Sequence, residues 1–346
     1  MTHKKRTTLR QISEKAGYHF TTVSLALRDH PSIPSKTREK IKSIAAEMDY
    51  KPDPVLSALV AYRHSKTNHN FAGNLIWLLN YSKKYSWRDI PLFDQYFEGA
   101  QEGAKRLGYQ IQTFDLQSEG MTSRRASEIF LHRGVSGIFI PPQEKAHVNL
   151  DLNWDDFSVI SFGYTVENPK FHVVSSNHFR MMIDLINQLL KLGYRRPGLV
   201  LLKKSGERVE NKWISAYLGK QWEADANNWP SPLILDTWDE STFINWLKKE
   251  APDVVISGRR QIPELIPCLE SSGYRIPEDI GFADHNMSDK NTATAGMQQN
   301  GVLIGTTGLE HLVGMIHRNE KGIPVTPTNT LVDANFYLGP TLKKMD

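Results

Sequence analysis

With 346 residues, 40% apolar side chains, 23% charged ones and a net charge of +4, the chain is longer than one hydrophobic core usually covers and has the balance of an ordinary folded protein. No apolar run approaches a membrane span and no apolar stretch follows the N-terminus, so a cytoplasmic protein is expected rather than an exported or membrane-bound one. The single cysteine, Cys268, excludes an internal disulfide, and Leu265, Ile266 and Leu269 beside it mark a buried side chain rather than a reactive thiol.

The charge is unevenly spread. Up to residue 69 there are 13 Lys and Arg against 6 Asp and Glu, a net +7, whereas the remaining chain carries 29 against 32, a net −3. The basic end also has the clearest helical punctuation. Thr8 followed by Gln11 is a capping box, predicting a helix with Leu9, Ile12 and Ala16 on one face and a break at Gly17. A second helix follows at once, in which Val23, Ala26 and Leu27 are spaced to pack inward. Thr21, Thr22, Ser24, Leu25 and Arg28 are left on or near its outer face. A third helix is expected from Ser35 as N-cap, with Ile41, Ile44, Ala45 and Met48 as its buried stripe. Two helices joined by a tight turn, the second with a polar outer face, form a helix-turn-helix, and a concentrated positive charge suits phosphate contact. The plainer alternative is a helical bundle that binds nothing, and the charge asymmetry argues against it.

After this headpiece, Asp53 and Pro54 supply a cap and a first helical residue for a short helix over 53–61, which is marginal on its own. From Phe71 onward apolar strands alternate with amphipathic helices. Strands are expected at 74–80, 110–116, 137–141, 158–163, 195–202, 232–235, 253–257 and 279–283, and helices at 124–132, 213–222 and 264–272. Two further helices are expected through Phe97 to Leu107 and through Met182 to Leu189. This is the repetition of parallel, doubly wound sheets, so the fold class is α/β with an all-α headpiece.

Ligands of such sheets gather at the carboxyl ends of the strands. The residues there are aromatic and polar: Tyr81, Trp87 and Phe93 after the first strand, Tyr164 after the fourth, then Trp213, Trp238, Arg259 and Asn286, with Gln299 before a crossover. Aromatic faces with a few polar groups suit a sugar or another flat polar metabolite. The alternative is that some of these rings merely fill the interior or a dimer surface. Enzyme chemistry finds no support: there is no GxGxxG or GxxxxGK[ST] loop, no HExxH, and no His, Cys or Asp at metal-ligand spacing. No catalytic residue, cofactor or metal is therefore expected. The C-terminal NFYLGPTLKKMD has no heptad run, so a tetramer built through it is not expected.

Thr8-Leu9, Ala16-Gly17, Thr22-Val23-Ser24, Thr37-Arg38 and Tyr50-Lys51-Pro52 resemble, in order and spacing, the headpiece of the lactose-repressor/galactose-repressor (LacI/GalR) family. The resemblance extends more weakly along the rest of the chain. It implies a headpiece over 1–52, a hinge over 53–70 and, over 71–346, a bilobed sensor like a periplasmic binding protein. The implied function is a sequence-specific DNA-binding regulator, expected to be a repressor, acting as a homodimer on an operator and controlled by a small molecule in the interlobe cleft. Phe20, Thr21 and Leu25 stand at the family's base-reading positions, and Phe20 has the alternative of stapling the headpiece core. Thr8, His19, Thr22, Ser24, Arg28 and Thr37 complete the implied DNA-contacting set. Leu59 occupies the place of the leucine that the family's paired hinge helices push into the minor groove, the alternative being an ordinary linker helix.

Gln299 matches a family glutamine, and Trp238 falls where some sugar-responsive members stack a tryptophan. The chain departs elsewhere: Ser176 precedes Asn177 where Asp-Asn is usual, Trp213 replaces an arginine, Asn286 an aspartate, and Gly258-Arg259 an Asn-Asp pair. Loss of acids with gain of Arg259 favours a ligand carrying negative charge. Two rival functions share the fold: a regulator that has lost effector response, and a solute-binding protein, which would need export and would not need a headpiece.

Overall fold

The computed structural model describes residues 8–27, 33–48, 50, 72–82, 86–224, 229–288 and 291–345. The expected hinge helix with Leu59 lies outside the described residues, as does Arg28. In the headpiece, α1 (Leu9–Ala16), α2 (Phe20–Leu27) and α3 (Ser35–Glu47) share a core of Ile12, Ala16, Val23, Ala26, Ile41 and Ala45. The Thr8 hydroxyl accepts the Gln11 backbone N–H, and the Thr8 N–H donates to Gln11 Oε1 at 2.9 Å, so the capping box closes from both sides. Gly17 ends α1 at φ 73°, a left-handed value that costs glycine nothing. One expected cap moves: Pro34 holds the N-cap position of α3 with no side-chain cap bond, and Ser35 is the first helical residue. Pro34 cannot donate a backbone hydrogen bond, which suits the residue just before a helix.

The body runs β1 (Gly73–Leu79), α4 (Pro91–Arg106), β2 (Tyr109–Asp115), α5 (Ser123–His132), β3 (Val135–Ile140), β4 (Val148–Asn149), β5 (Ser158–Phe162), β6 (Val166–Asn168) and β7 (His172–Ser176). It continues with α6 (His178–Lys191), β8 (Pro197–Leu202), α7 (Lys203–Glu207), α8 (Lys212–Glu223), β9 (Leu233–Leu235), α9 (Glu240–Glu250), β10 (Val254–Ser257), α10 (Leu265–Ser271) and β11 (Gly281–Ser288). It closes with β12 (Ala295–Gln299), α11 (Gly301–Arg318), β13 (Asn329–Val332) and β14 (Asn335–Tyr337). One sheet has the order β13-β7-β5-β3-β1-β2, the other β14-β12-β11-β10-β8-β9, and β4 pairs with β6 apart from both. All pairings are parallel except that of β12 with β14. Helices cover both faces of each sheet, and accordingly β5 and β8 are buried at every position.

The polypeptide passes between the two lobes three times: from β7 to α6, from β12 to α11, and from β13 to β14. The passages are bonded to one another. Asn177 Nδ2 donates to Asp333 Oδ1 at 3.0 Å, Asn300 Nδ2 to the Asp333 carbonyl at 2.7 Å, and Asn335 Nδ2 to Asn300 Oδ1 at 3.1 Å. Because of the second passage, α11 packs in the first lobe against α4, so closely that a Cβ on Gly305 would lie 2.0 Å from the Tyr96 carbonyl oxygen. The sequence pattern does not announce β7, β12, α11, β13 or β14. HVVSS and AGMQQ are short and partly polar, and α11 carries four glycines that argue against a helix on propensity. Cys268 is buried, as its neighbours imply. No helix among the described residues is long and apolar enough to cross a membrane.

Candidate functional site

Two surfaces carry the expected chemistry. On the headpiece, α2 buries Val23 and Ala26, leaves Thr21 exposed, and holds Thr22, Ser24, Leu25 and Leu27 partly exposed. Leu27 is thus less buried than its spacing predicts, because it lies at the end of the helix. His19 precedes the helix: its Nδ1 accepts the Thr21 N–H at 3.4 Å and stands 2.7 Å from Thr21 Oγ1. The Phe20 ring is 49% exposed at the first turn, on the surface and outside the headpiece core. Thr8 is exposed at its cap, and Thr37 is half-buried in the first turn of α3, next to exposed Lys36. This surface offers hydroxyls, two apolar side chains and few charged hydrogen-bond donors, a set suited to thymine methyls and phosphate oxygens.

The second surface is a cavity of about 1100 Å³ between the lobes, at the carboxyl ends of both sheets. The first lobe lines it with Phe93 and Tyr96 from α4, Pro142 after β3, Tyr164 after β5, and Ser175 at the end of β7. The second lobe adds His178 at the start of α6, Trp213 from α8, Arg259 after β10, Asp284 and Asn286 from β11, and Gln299 from β12. Six of the nine residues expected at a ligand site, Phe93, Tyr164, Trp213, Arg259, Asn286 and Gln299, are therefore brought together. Trp213 comes from inside a helix rather than from a loop.

Three of the nine are placed elsewhere. The buried Tyr81 hydroxyl donates to the Pro142 carbonyl. Trp87 packs into the core of the first lobe, 5.8 Å from Trp77 and 5.2 Å from Phe97. Trp238 packs on Phe243 at 5.3 Å, on the face of the second sheet covered by α9 and α10. An aromatic ring that follows a strand end is drawn to whatever apolar surface is nearest, and here the cores outcompete the cleft for all three.

Beneath the cavity lies a group of buried rings, of which His178 and Trp213 line it. The edge of Trp213 meets His178 at 5.3 Å and His285 at 4.3 Å. Burial, with the charges of Lys212 and His285 adding to it, pushes His178 down to about 3, and burial likewise pushes His285 down to about 4. Both are neutral at pH 7. Among the described residues the cavity-lining His178 Nδ1 and Trp213 Nε1 are buried without a hydrogen-bond partner, a costly condition that a polar ligand or bound water would relieve. Burial also lifts the Asp284 carboxyl to about 6, against the opposing pull of the Asn286 and Arg259 backbone N–H groups and the Arg259 charge. Ser176 donates to Gln299 Oε1, and Gln299 Nε2 donates to Asn286 Oδ1, which fixes three of these groups in one relay.

Basic side chains of the second lobe also bridge to the first at the cavity. Arg208 donates to the carbonyls of Gln143 and Glu144, the latter at 2.6 Å, Arg260 donates to the Asp89 carbonyl, and Lys212 Nζ stands 3.6 Å above the Tyr164 ring. Sequence reasoning missed His178, Asp284, Tyr96, Arg208 and Arg260. Drawing β11 to its true end at Ser288 would have exposed Asp284, and recognising β7 would have exposed His178 at its end. Tyr96 lies one turn from Phe93 on α4, whereas the arginine bridges left no local signal. No group of His, Cys, Asp and Glu among the described residues could hold a metal ion.

Residues 8–53 match the family model described as "Bacterial regulatory proteins, lacI family". The chain is 22% identical over 281 residues to the HTH-type transcriptional regulator YkvZ of Bacillus subtilis (strain 168), covering 79% of this chain and 82% of that one. Among solved structures it is similar to the lac repressor dimer bound to operator and the anti-inducer ONPF, with a TM-score of 0.55 and 16% identity over 97% of this chain and 99% of that one. It is also similar to the transcriptional regulator CelR in complex with cellobiose, with a TM-score of 0.56 and 16% identity over 97% of this chain and all of that one, 100%. The helix-turn-helix at one end and two doubly wound lobes behind it are thus found together in these proteins as they are here, and the chain is a DNA-binding transcriptional regulator whose headpiece, residues 8–53, matches the lacI family.

Proposed function

We propose that this regulator is a repressor that binds a two-fold operator as a homodimer in the cytoplasm and is switched by a small metabolite, a sugar or sugar derivative, held between its lobes. The proposed division is a headpiece over 1–52, a hinge over 53–70 and a sensor over 71–346. The observation that carries the reading is the union on one chain of a recognition helix with an open outer face and a cavity of about 1100 Å³ whose floor has buried polar atoms in need of partners. The operator-bound dimer and the cellobiose complex of the two similar structures support the same assignment by analogy. A polar metabolite would satisfy His178 Nδ1 and Trp213 Nε1, whereas a regulator that ignored metabolites would have to satisfy them with bound water. In the proposed mechanism the ligand favours one degree of lobe closure, and the three bonded passages transmit that closure to the spacing of the two headpieces.

The test is a randomised-site selection with the full-length protein, repeated with a Thr21/Leu25 double alanine variant. A palindromic motif that changes in the variant is expected, whereas replacing Lys36 should weaken all sites alike. An unpalindromic motif would overturn the dimer, and an unchanged motif would overturn the assignment of Thr21 and Leu25. A sugar that raises the melting temperature and alters operator affinity would support the switch.

A further inference from the structure

We propose that the metabolite in the cleft is an anion, a phosphorylated or carboxylated sugar, and that Arg259 is the residue that selects it. The proposal rests on the effector reading above and adds the ligand's charge to it. Five lysine and arginine side chains line the cavity against three acids, an excess of two positive charges in a partly enclosed space. Arg260 gives a hydrogen bond to a main-chain carbonyl of the first lobe, and that bond leaves its charge in place. A ligand with one or two negative charges would bring the site close to neutrality.

Arg259 is distinguished by how it is held. Its backbone N–H, with that of Asn286, is bonded to the Asp284 carboxyl, a group only 3% exposed. The main chain of the loop after β10 is therefore anchored from below, while the Arg259 side chain stays exposed at the cavity. A guanidinium on a fixed root meets the planar oxygens of a phosphate or carboxylate with less ordering entropy than one on a free loop. Behind it the floor formed by His178, Trp213 and Asn286 carries no formal charge at pH 7 and presents donors and acceptors suited to hydroxyls. The two ends of the site thus ask for different halves of one ligand, an anionic group outside and a hydroxylated body within.

The experiment is a matched panel on the full-length protein: neutral hexoses and pentoses, their phosphate esters and their acids, read by thermal shift and then by calorimetry. A charged member should stabilise the protein where its neutral parent does not, and its affinity should fall as salt rises. Arg259→Ala should weaken that member by about tenfold or more while leaving the melting temperature of the unliganded protein unchanged, and Arg259→Lys should retain part of the affinity. Preference for phosphates over acids, or the reverse, identifies the anionic group. A neutral sugar that binds as tightly as its charged counterpart, or a charged member unaffected by Arg259→Ala, would overturn the proposal and leave the effector reading standing. Failure of every member, charged and neutral, would overturn the sugar-effector reading and this proposal with it.

Discussion

Among the described residues every buried side chain of the headpiece core is isoleucine, valine or alanine, and these lie between positions 12 and 45. In the body, α4 and α11 are held against each other by residues some two hundred positions apart, as in the Thr306 hydroxyl bonded to the Gly99 carbonyl at 3.3 Å. The headpiece is assembled from neighbours in sequence, each helix marked by its own cap, whereas the body closes only when distant glycines meet. Damage should follow the same division: a substitution in the headpiece should remove DNA binding and spare the sensor, and one at the α4–α11 contact should do the reverse.

The largest effect is expected at that contact. Gly305→Ala would set a methyl carbon 2.0 Å from the Tyr96 carbonyl oxygen and 3.0 Å from the Ala100 nitrogen, and because both are backbone atoms neither can swing aside. A loss of about 4 kcal/mol is expected, read as a lower melting temperature of the body, while headpiece helicity in the isolated 1–52 fragment is unaffected by construction. A near-native melting temperature would show that the two helices can separate at little cost.

Ile41→Ala tests the other side. Ile41 is fully buried in the small headpiece core, and its truncation should cost the headpiece about 3 kcal/mol. Operator affinity should then collapse while ligand-induced thermal stabilisation of the sensor persists; loss of both would mean that the two regions fold as one unit.

Acid should separate them next, because among the described residues the buried histidine rings with shifted titration belong to the body. His178 and His285 are held neutral in the folded protein at about 3 and about 4, below the ordinary histidine value of 6.5. Their stabilising contribution is full above 6.5 and is lost as pH falls toward those values, by about 2 kcal/mol for each ring at pH 5. Asp284 acts in the opposite sense: with its carboxyl raised to about 6 from 3.8, its ionised form disfavours folding, so its contribution returns as pH falls through 6. Two histidines outweigh one acid, and the body should lose stability between pH 7 and pH 5. Replacing His178 with Gln should flatten part of that slope, and an unchanged slope would place the acid sensitivity elsewhere.

The smallest effect is expected at the cap. Thr8→Ala removes the acceptor for the Gln11 N–H and should cost the headpiece about 1 kcal/mol, seen as a modest, uniform weakening of operator binding with the body's melting temperature unchanged. A changed sequence preference instead would make Thr8 a base-reading group.

The cleft shows how far local reading reaches. Tyr164, Arg259 and Asn286 follow or close strands that the alternation of apolar runs makes visible, so the strand-end rule finds them. Trp87 and Trp238 follow strands too, yet lie in cores, because no local property of a tryptophan says whether its nearest apolar neighbour is a cleft wall or the packed face of a sheet. Arg208 and Arg260 bridge to main-chain carbonyls of the other lobe, and a carbonyl leaves no trace in a sequence.

From the sequence alone come the capping box, the glycine stop at Gly17, the spacing of the headpiece core, the basic excess and the βα alternation, since each depends on residues within a turn or two of one another or on composition. Which lobe receives α11, where the polypeptide crosses, that His178, Trp213 and His285 meet edge to face under one cavity, and that Arg259 is rooted on Asp284 were decided by the tertiary structure. Those features are contacts between segments brought together only by closure of the two sheets, and long-range packing selects among partners that local propensity leaves equivalent.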